Sequence, residues 1–169
     1  LGYGMAVIGI DPGTATTGYG IVEEEQDGSL KALAYGTIET PSDLEMPSRL
    51  LVLYRALNEI LLLHRPMSAA VEKLFFQRNV RTALTVGQAR GVVLLALEEH
   101  NIIIGEYTPM EVKQAVSGYG GADKRQIQLM VQALLGLAEI PKPDDAADAL
   151  AIAICHLQST KYQQLIDES

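Results

Sequence analysis

Residues 7–22 read VIGIDPGTATTGYGIV, and how they fold decides how the chain folds. An apolar, β-branched run ends on Asp11. Pro12 and Gly13 follow, then a cluster of threonines and glycines, then a second apolar run. β-Branched runs bounded by Pro and Gly read as strands. The spacing predicts a buried strand over residues 5–10 and a second over 18–23, joined by a small turn. A strand needs only a turn at its end. Here it ends on a carboxylate, where the rim of a sheet would face a ligand.

Working outward, KALAYGTIE (31–39) reads as a third strand, and the close spacing predicts an antiparallel meander. The period then becomes helical. In residues 41–66, Leu50, Leu53, Leu57, Ile60 and Leu61 share one face, and Pro66 ends the helix. SAAVEKL (68–74) is a short fourth strand, 79–99 a second long helix and NIIIGEY (101–107) a fifth strand. TPMEVKQAVSG (108–118) begins a helix, with Thr108 as N-cap and Pro109 at its first position. A glycine-rich segment leads into another helix, for which Asp123 and Gln126 form a capping box. PKPDDAADALAIAICHLQ (141–158) is a proline-led helix. Three strands followed by an alternating α/β half predict an α/β protein with a mixed five-stranded sheet flanked by helices. Residues 5–158 make one domain, 159–169 a frayed polar tail, and LGYG (1–4) reads as an extraneous leader before Met5.

The chain has 169 residues, 48% of them hydrophobic and 20% charged, which suits one globular core. The sequence shows no run approaching the ~18 apolar residues of a membrane span, and no signal peptide. The lone cysteine, Cys155, excludes an internal disulfide and a cysteine-based metal site. It reads as core packing and fits a reducing, cytoplasmic compartment. A net charge of −8 excludes a uniformly basic nucleic-acid binder but not a local basic patch.

The acidic residues are placed with more purpose. Asp11 suits an Asp-Pro-Gly turn, but it also ends a strand. Glu72 lies inside a strand pattern, where Glu is depleted. In DDAADALAIAI, Asp144 and Asp145 suit a helix cap and its dipole. Asp148 does not, because Ala151, Ile152 and Cys155 lie three, four and seven residues on, along an apolar face. A carboxylate there should be paired, protonated or on a metal. Asp145 and Asp148, three apart, share that face, and Ala146, Ala147 and Ala149 let it approach a sheet. Such convergent oxygen donors suit hard Mg2+ or Mn2+, and two ions are the common arrangement for phosphodiester hydrolysis.

Together GIDPGTATTGYGIV, VEKLFFQRN, VGQARGVV, EVKQAVSGYGGADKRQIQLMV and DDAADALAIAICH resemble the RuvC-type Holliday-junction resolvases, over residues 5–158. The resemblance implies a ribonuclease H-like fold and a homodimer that makes paired Mg2+-dependent nicks in a four-way junction during recombination and repair. It implies Asp11, Glu72, Asp145 and Asp148 as the catalytic, metal-holding residues, Asp145 being the most exchangeable, and leaves Asp144 as a cap. It also implies a branch-migration motor as partner. On this reading Gly13 keeps the turn small so that a DNA phosphate can approach.

Phe75 and Phe76, the chain's two phenylalanines, follow Glu72 closely, and exposed aromatics can stack on an unpaired base. The resemblance favours Phe75 as the DNA-facing one and assigns DNA contact to Lys113 and Lys124. Lys124 and Arg125, in the first turn of a helix, oppose its dipole unless a phosphate binds there. Gln77, Arg78, Asn79 and Arg81 add a polar-basic loop. Gly87 and Gly91, four apart on one helix face, permit close approach to the sheet or to a second copy. Three other readings compete: an actin-like or sugar-kinase-like nucleotide module, which needs a longer chain; a junction binder without catalysis; and a ribonuclease H-like nuclease for RNA.

Overall fold

The computed structural model describes residues 4–74 and 80–168. Strands β1 (Met5–Asp11), β2 (Thr16–Glu24) and β3 (Leu30–Glu39) form the expected antiparallel meander. Strands β4 (Ser68–Glu72) and β5 (Ile103–Tyr107) join parallel to β1, in the order β3-β2-β1-β4-β5. The parallel pairs require crossovers, and α1 (Met46–His64) and α2 (Val80–Glu99) supply helices on one face. Helices α3 (Pro109–Ser117), α4 (Lys124–Leu134) and α5 (Asp144–Asp167) cover the other.

The two-residue period of β1 serves both cores. Ile8 and Ile10 pack with Leu53, Leu57 and Leu61 of α1 and Val93 and Leu97 of α2. Val7 and Gly9 face α5. Side-chain size decides how near α5 can lie. A Cβ on Gly9 would collide with the Ala149 carbonyl, one on Gly18 with the Asp145 carbonyl, and one on Gly20 with the Leu150 side chain. Glycine inside a strand marks such an approach.

The helix ends follow their expected chemistry at α3 and α4. Thr108 and Glu111 form a reciprocal capping box, as do Asp123 and Gln126. At α5 the expectation fails for Asp144. Pro143 is the N-cap, and Asp144 begins the first turn, where its charge favours the dipole without capping. The stretch expected as a frayed tail is helical to Asp167. Ser159 and Thr160 hydrogen-bond back to the carbonyls of Cys155 and His156, and Lys161 pairs with Glu24 of β2. The apolar content of α2 exceeds what one sheet face requires. By length and composition alone α2 could cross a membrane. Its inner face (Ala89, Val93, Ala96, Leu97) is sheet core, and its surplus, Leu84 and Leu95, is exposed.

Candidate active site

Strand register brings the acids together. Ile10 of β1 pairs with Val71 of the parallel β4, so Asp11 and Glu72 end adjacent strands at the same rim. Asp11 continues the alternation of Val7 and Gly9, and Glu72 that of Ala70, on the sheet face that packs on α5. On the other side of β1, Asp11 pairs with Gly18 of β2, and the Asp145 backbone rests on Gly18. The absence of a side chain at Gly18 is therefore what delivers α5's first turn to Asp11. Asp11, Asp145 and Asp148 each place one oxygen so that all three lie within 4.8 Å of one another. Glu72 is not in that trio, but it lines one cavity of about 240 Å³ with Asp11 and Asp148. The floor of the cavity is apolar, from Pro109 and Val112 of α3, Ile127 of α4 and Ala151 and Ile152 of α5.

Carboxylates on an apolar floor repel and are poorly hydrated, so they hold protons more tightly. Burial raises Asp11 to about 7, and the charges of Asp148, Glu72 and Asp145 add to it, against the pull of Lys124. Burial also raises Glu72, reinforced by Asp148 and opposed by Lys113. Asp148 stays raised although the Lys124 ammonium is 3.8 Å away. Burial there, with Asp145 and Asp144 nearby, outweighs the exposed cation. The site is short of positive charge.

Lys113 and Lys124 both line the cavity. Lys124 opposes its own helix dipole, and carboxylates answer it: Asp144 at 3.2 Å and Asp148 beyond. Asp144 also accepts from Gln128 at 3.1 Å, so its role is to tie α5 to α4. Arg125, one residue on, is exposed and does not line the cavity, because one helical step turns it away. Arg81 is exposed in the first turn of α2, also off the cavity. Phe75, Phe76, Gln77, Arg78 and Asn79 lie outside the described residues, as do residues 1–3 of the leader.

Gly13 keeps the turn small for a reason within the turn itself. A Cβ there would collide with the Thr16 carbonyl of its own turn. The turn is clamped by Thr17, fully buried, whose hydroxyl donates to the Gly13 carbonyl at 2.7 Å and accepts from its N–H at 3.2 Å. Thr14 donates to the Thr85 carbonyl of α2 at 2.8 Å, and its own carbonyl accepts from Thr40 at 2.6 Å. Neither clamp was foreseen. Thr-rich turns announce side-chain-to-backbone bonding, but their partners lie up to 71 residues away. Among the described residues, a Cβ on Gly91 would meet nothing within 4 Å beyond its own helix backbone, and one on Gly87 would come within 3.7 Å of Leu74. Cys155 is buried as expected, and burial pushes its thiol up to about 11.

The family described as crossover junction endodeoxyribonuclease RuvC matches residues 7–156. A crossover junction endodeoxyribonuclease RuvC from Syntrophomonas wolfei is 54% identical over 165 residues, covering 98% of this chain and 95% of the relative. One from Chloroflexus aurantiacus is 62% identical over 152 residues, 90% of this chain and 92% of its own. Thermus thermophilus RuvC, solved in complex with Holliday junction substrate, superposes with a TM-score of 0.90 at 38% identity, covering 94% of this chain and 96% of that one.

Proposed function

The chain belongs to the crossover junction endodeoxyribonuclease RuvC family, and on that premise we propose that it resolves four-way DNA junctions by paired nicks in opposed strands. The observation that carries the proposal is the convergence of Asp11, Asp145 and Asp148 at the strand rim, with Glu72 lining the same cavity. A nuclease of this family acts in recombination and repair. The bacterial origin of the relatives supports work in the cytoplasm.

The donor set fits a hard divalent cation. It offers carboxylate oxygens and, among the described residues lining the cavity, no thiol or imidazole. Asp11, Asp145 and Asp148 would hold it and Glu72 would add a fourth ligand. Mg2+ is the proposed metal, Mn2+ its substitute, and two ions per subunit the number. When bound, such ions lower the pKa of water and neutralise charge on the departing oxygen. Asp11, near 7 when free of metal, gives up its proton to become a ligand, so affinity should rise with pH. Lys113 and Lys124 hold the phosphodiester over the acids, Lys124 exchanging Asp148 for phosphate. Water is the proposed attacking group, consistent with the described lining residues, which include no Ser, Thr, Tyr or Cys. In-line attack that breaks the P–O3′ bond leaves 5′-phosphate and 3′-hydroxyl ends. Phe75 is proposed to stack on an unpaired base of the junction, with Gln77, Arg78, Asn79, Arg81 and Arg125 along the flanking backbone.

Paired nicks require paired sites. The exposed stripe Leu84, Gly91 and Leu95 on α2 supports a two-fold homodimer through that helix. A branch-migration motor as partner rests on the family resemblance alone. The test is cleavage of a synthetic four-way junction beside linear duplex, in Mg2+, by the wild type and Asp148→Asn. Symmetric nicks on the junction alone, lost in the variant, are expected. Binding without cleavage in Mg2+ and Mn2+ would make the protein a junction binder. Preference for RNA or linear duplex would overturn the proposal.

A further inference from the structure

His156 is buried in the apolar helix α5, 4% exposed, and takes no part in the acid cavity. Both ring nitrogens are engaged. Nδ1 lies 2.8 Å from the Tyr107 hydroxyl of β5, and Nε2 lies 2.8 Å from the Ser68 hydroxyl of β4. The Tyr107 and His156 rings meet edge to face at 5.7 Å. The imidazole occupies a notch left by Gly105, where a Cβ would lie 2.7 Å from Nδ1. A buried polar ring costs stability unless it is paired, and this one is paired twice. Its place in the fold suggests what the pairing does. Ser68 begins the strand that Glu72 ends, and His156 lies eight residues beyond Asp148 on one helix. Glycines set the distance of α5 from β1 and β2. His156 ties the same helix to β4 and β5. An α-helix moves nearly as a rod, so a slide at His156 appears at Asp148, about 12 Å away.

We infer that His156 is a positioning residue: its Ser68 and Tyr107 bonds hold α5 in register with β4, which fixes Asp148 relative to Glu72. This rests on the reading that those carboxylates hold the metal. Ser68→Ala and Tyr107→Phe each delete one oxygen and leave the imidazole in place. Mn2+ affinity, read from free Mn2+ by electron paramagnetic resonance, and KM and kcat for junction cleavage should be measured for both singles, the double variant and Asp148→Asn. The double variant should bind Mn2+ about tenfold more weakly and lose about tenfold in kcat, with junction KM unchanged. Wild-type Mn2+ affinity in the double variant, even with lowered thermal stability, overturns the latch. If the double variant does not fold, the single variants carry the same test with about threefold losses. Unchanged Mn2+ affinity in Asp148→Asn would instead overturn the metal site itself.

Discussion

Asp11→Asn should make the metal-free protein more stable at pH 8, although it removes a catalytic carboxylate. Burial and three neighbouring carboxylates hold Asp11 near 7 in the folded chain, against an ordinary 3.8. Between those values the folded chain binds a proton that the unfolded chain has released, so stability falls as pH rises through the window. At about 1.4 kcal/mol per pH unit, the whole interval is worth about 4 kcal/mol. Water at the cavity mouth and a charge shared with Asp148 and Glu72 reduce this to about 2 kcal/mol. In a chain of this size that is about 4–8 °C in Tm. Asn keeps the shape and discards the charge, so the variant should gain this amount at pH 8 and nothing at pH 4. Urea unfolding in chelator at both pH values measures it. Mn2+ should then stabilise the wild type and leave the variant nearly unmoved. An Asn variant no more stable than wild type at pH 8, or a difference between the two that is the same at pH 4 and pH 8, would refute the reasoning.

Other perturbations test other parts of the account. Gly18→Ala drives a methyl into the Asp145 carbonyl, so it should cost about 3 kcal/mol by urea unfolding and weaken Mn2+ binding in whatever folds. Lys124→Ala removes a cation from the cavity rim; junction affinity should fall and the slope of log affinity against log salt should shrink by about 1, read by fluorescence anisotropy. Leu95→Glu places a charge on a side chain 61% exposed, so the isolated chain should fold normally while sedimentation shows a monomer and paired nicks become single ones.

Much of this was legible because strands and capped helices are local. The β1–β2–β3 meander followed from runs broken by glycine and proline, and the Thr108 and Asp123 caps from residues three apart. Asp148 betrayed itself as a charge on an apolar helical face. What stayed hidden depended on pairs distant in sequence. Gly9, Gly18 and Gly20 read as turn or strand residues until α5 was laid across them. The pairing of Lys124 with Asp144 across the helix pair was hidden, because nothing local revealed it. His156 drew no reading of its own, since its partner Ser68 lies 88 residues away. Asp144 was mistaken for a cap because Asp often caps, whereas Pro143 already holds that position.

The central claim is that Asp11, Asp145 and Asp148 form one divalent-cation site with Glu72 beside it. Anomalous scattering from a crystal soaked in Mn2+ tests it most directly. The account predicts a strong peak within about 2.3 Å of oxygens from at least two of Asp11, Asp145 and Asp148. A well-ordered, fully soaked crystal with no peak in this cavity, or with Mn2+ bound elsewhere only, would contradict it.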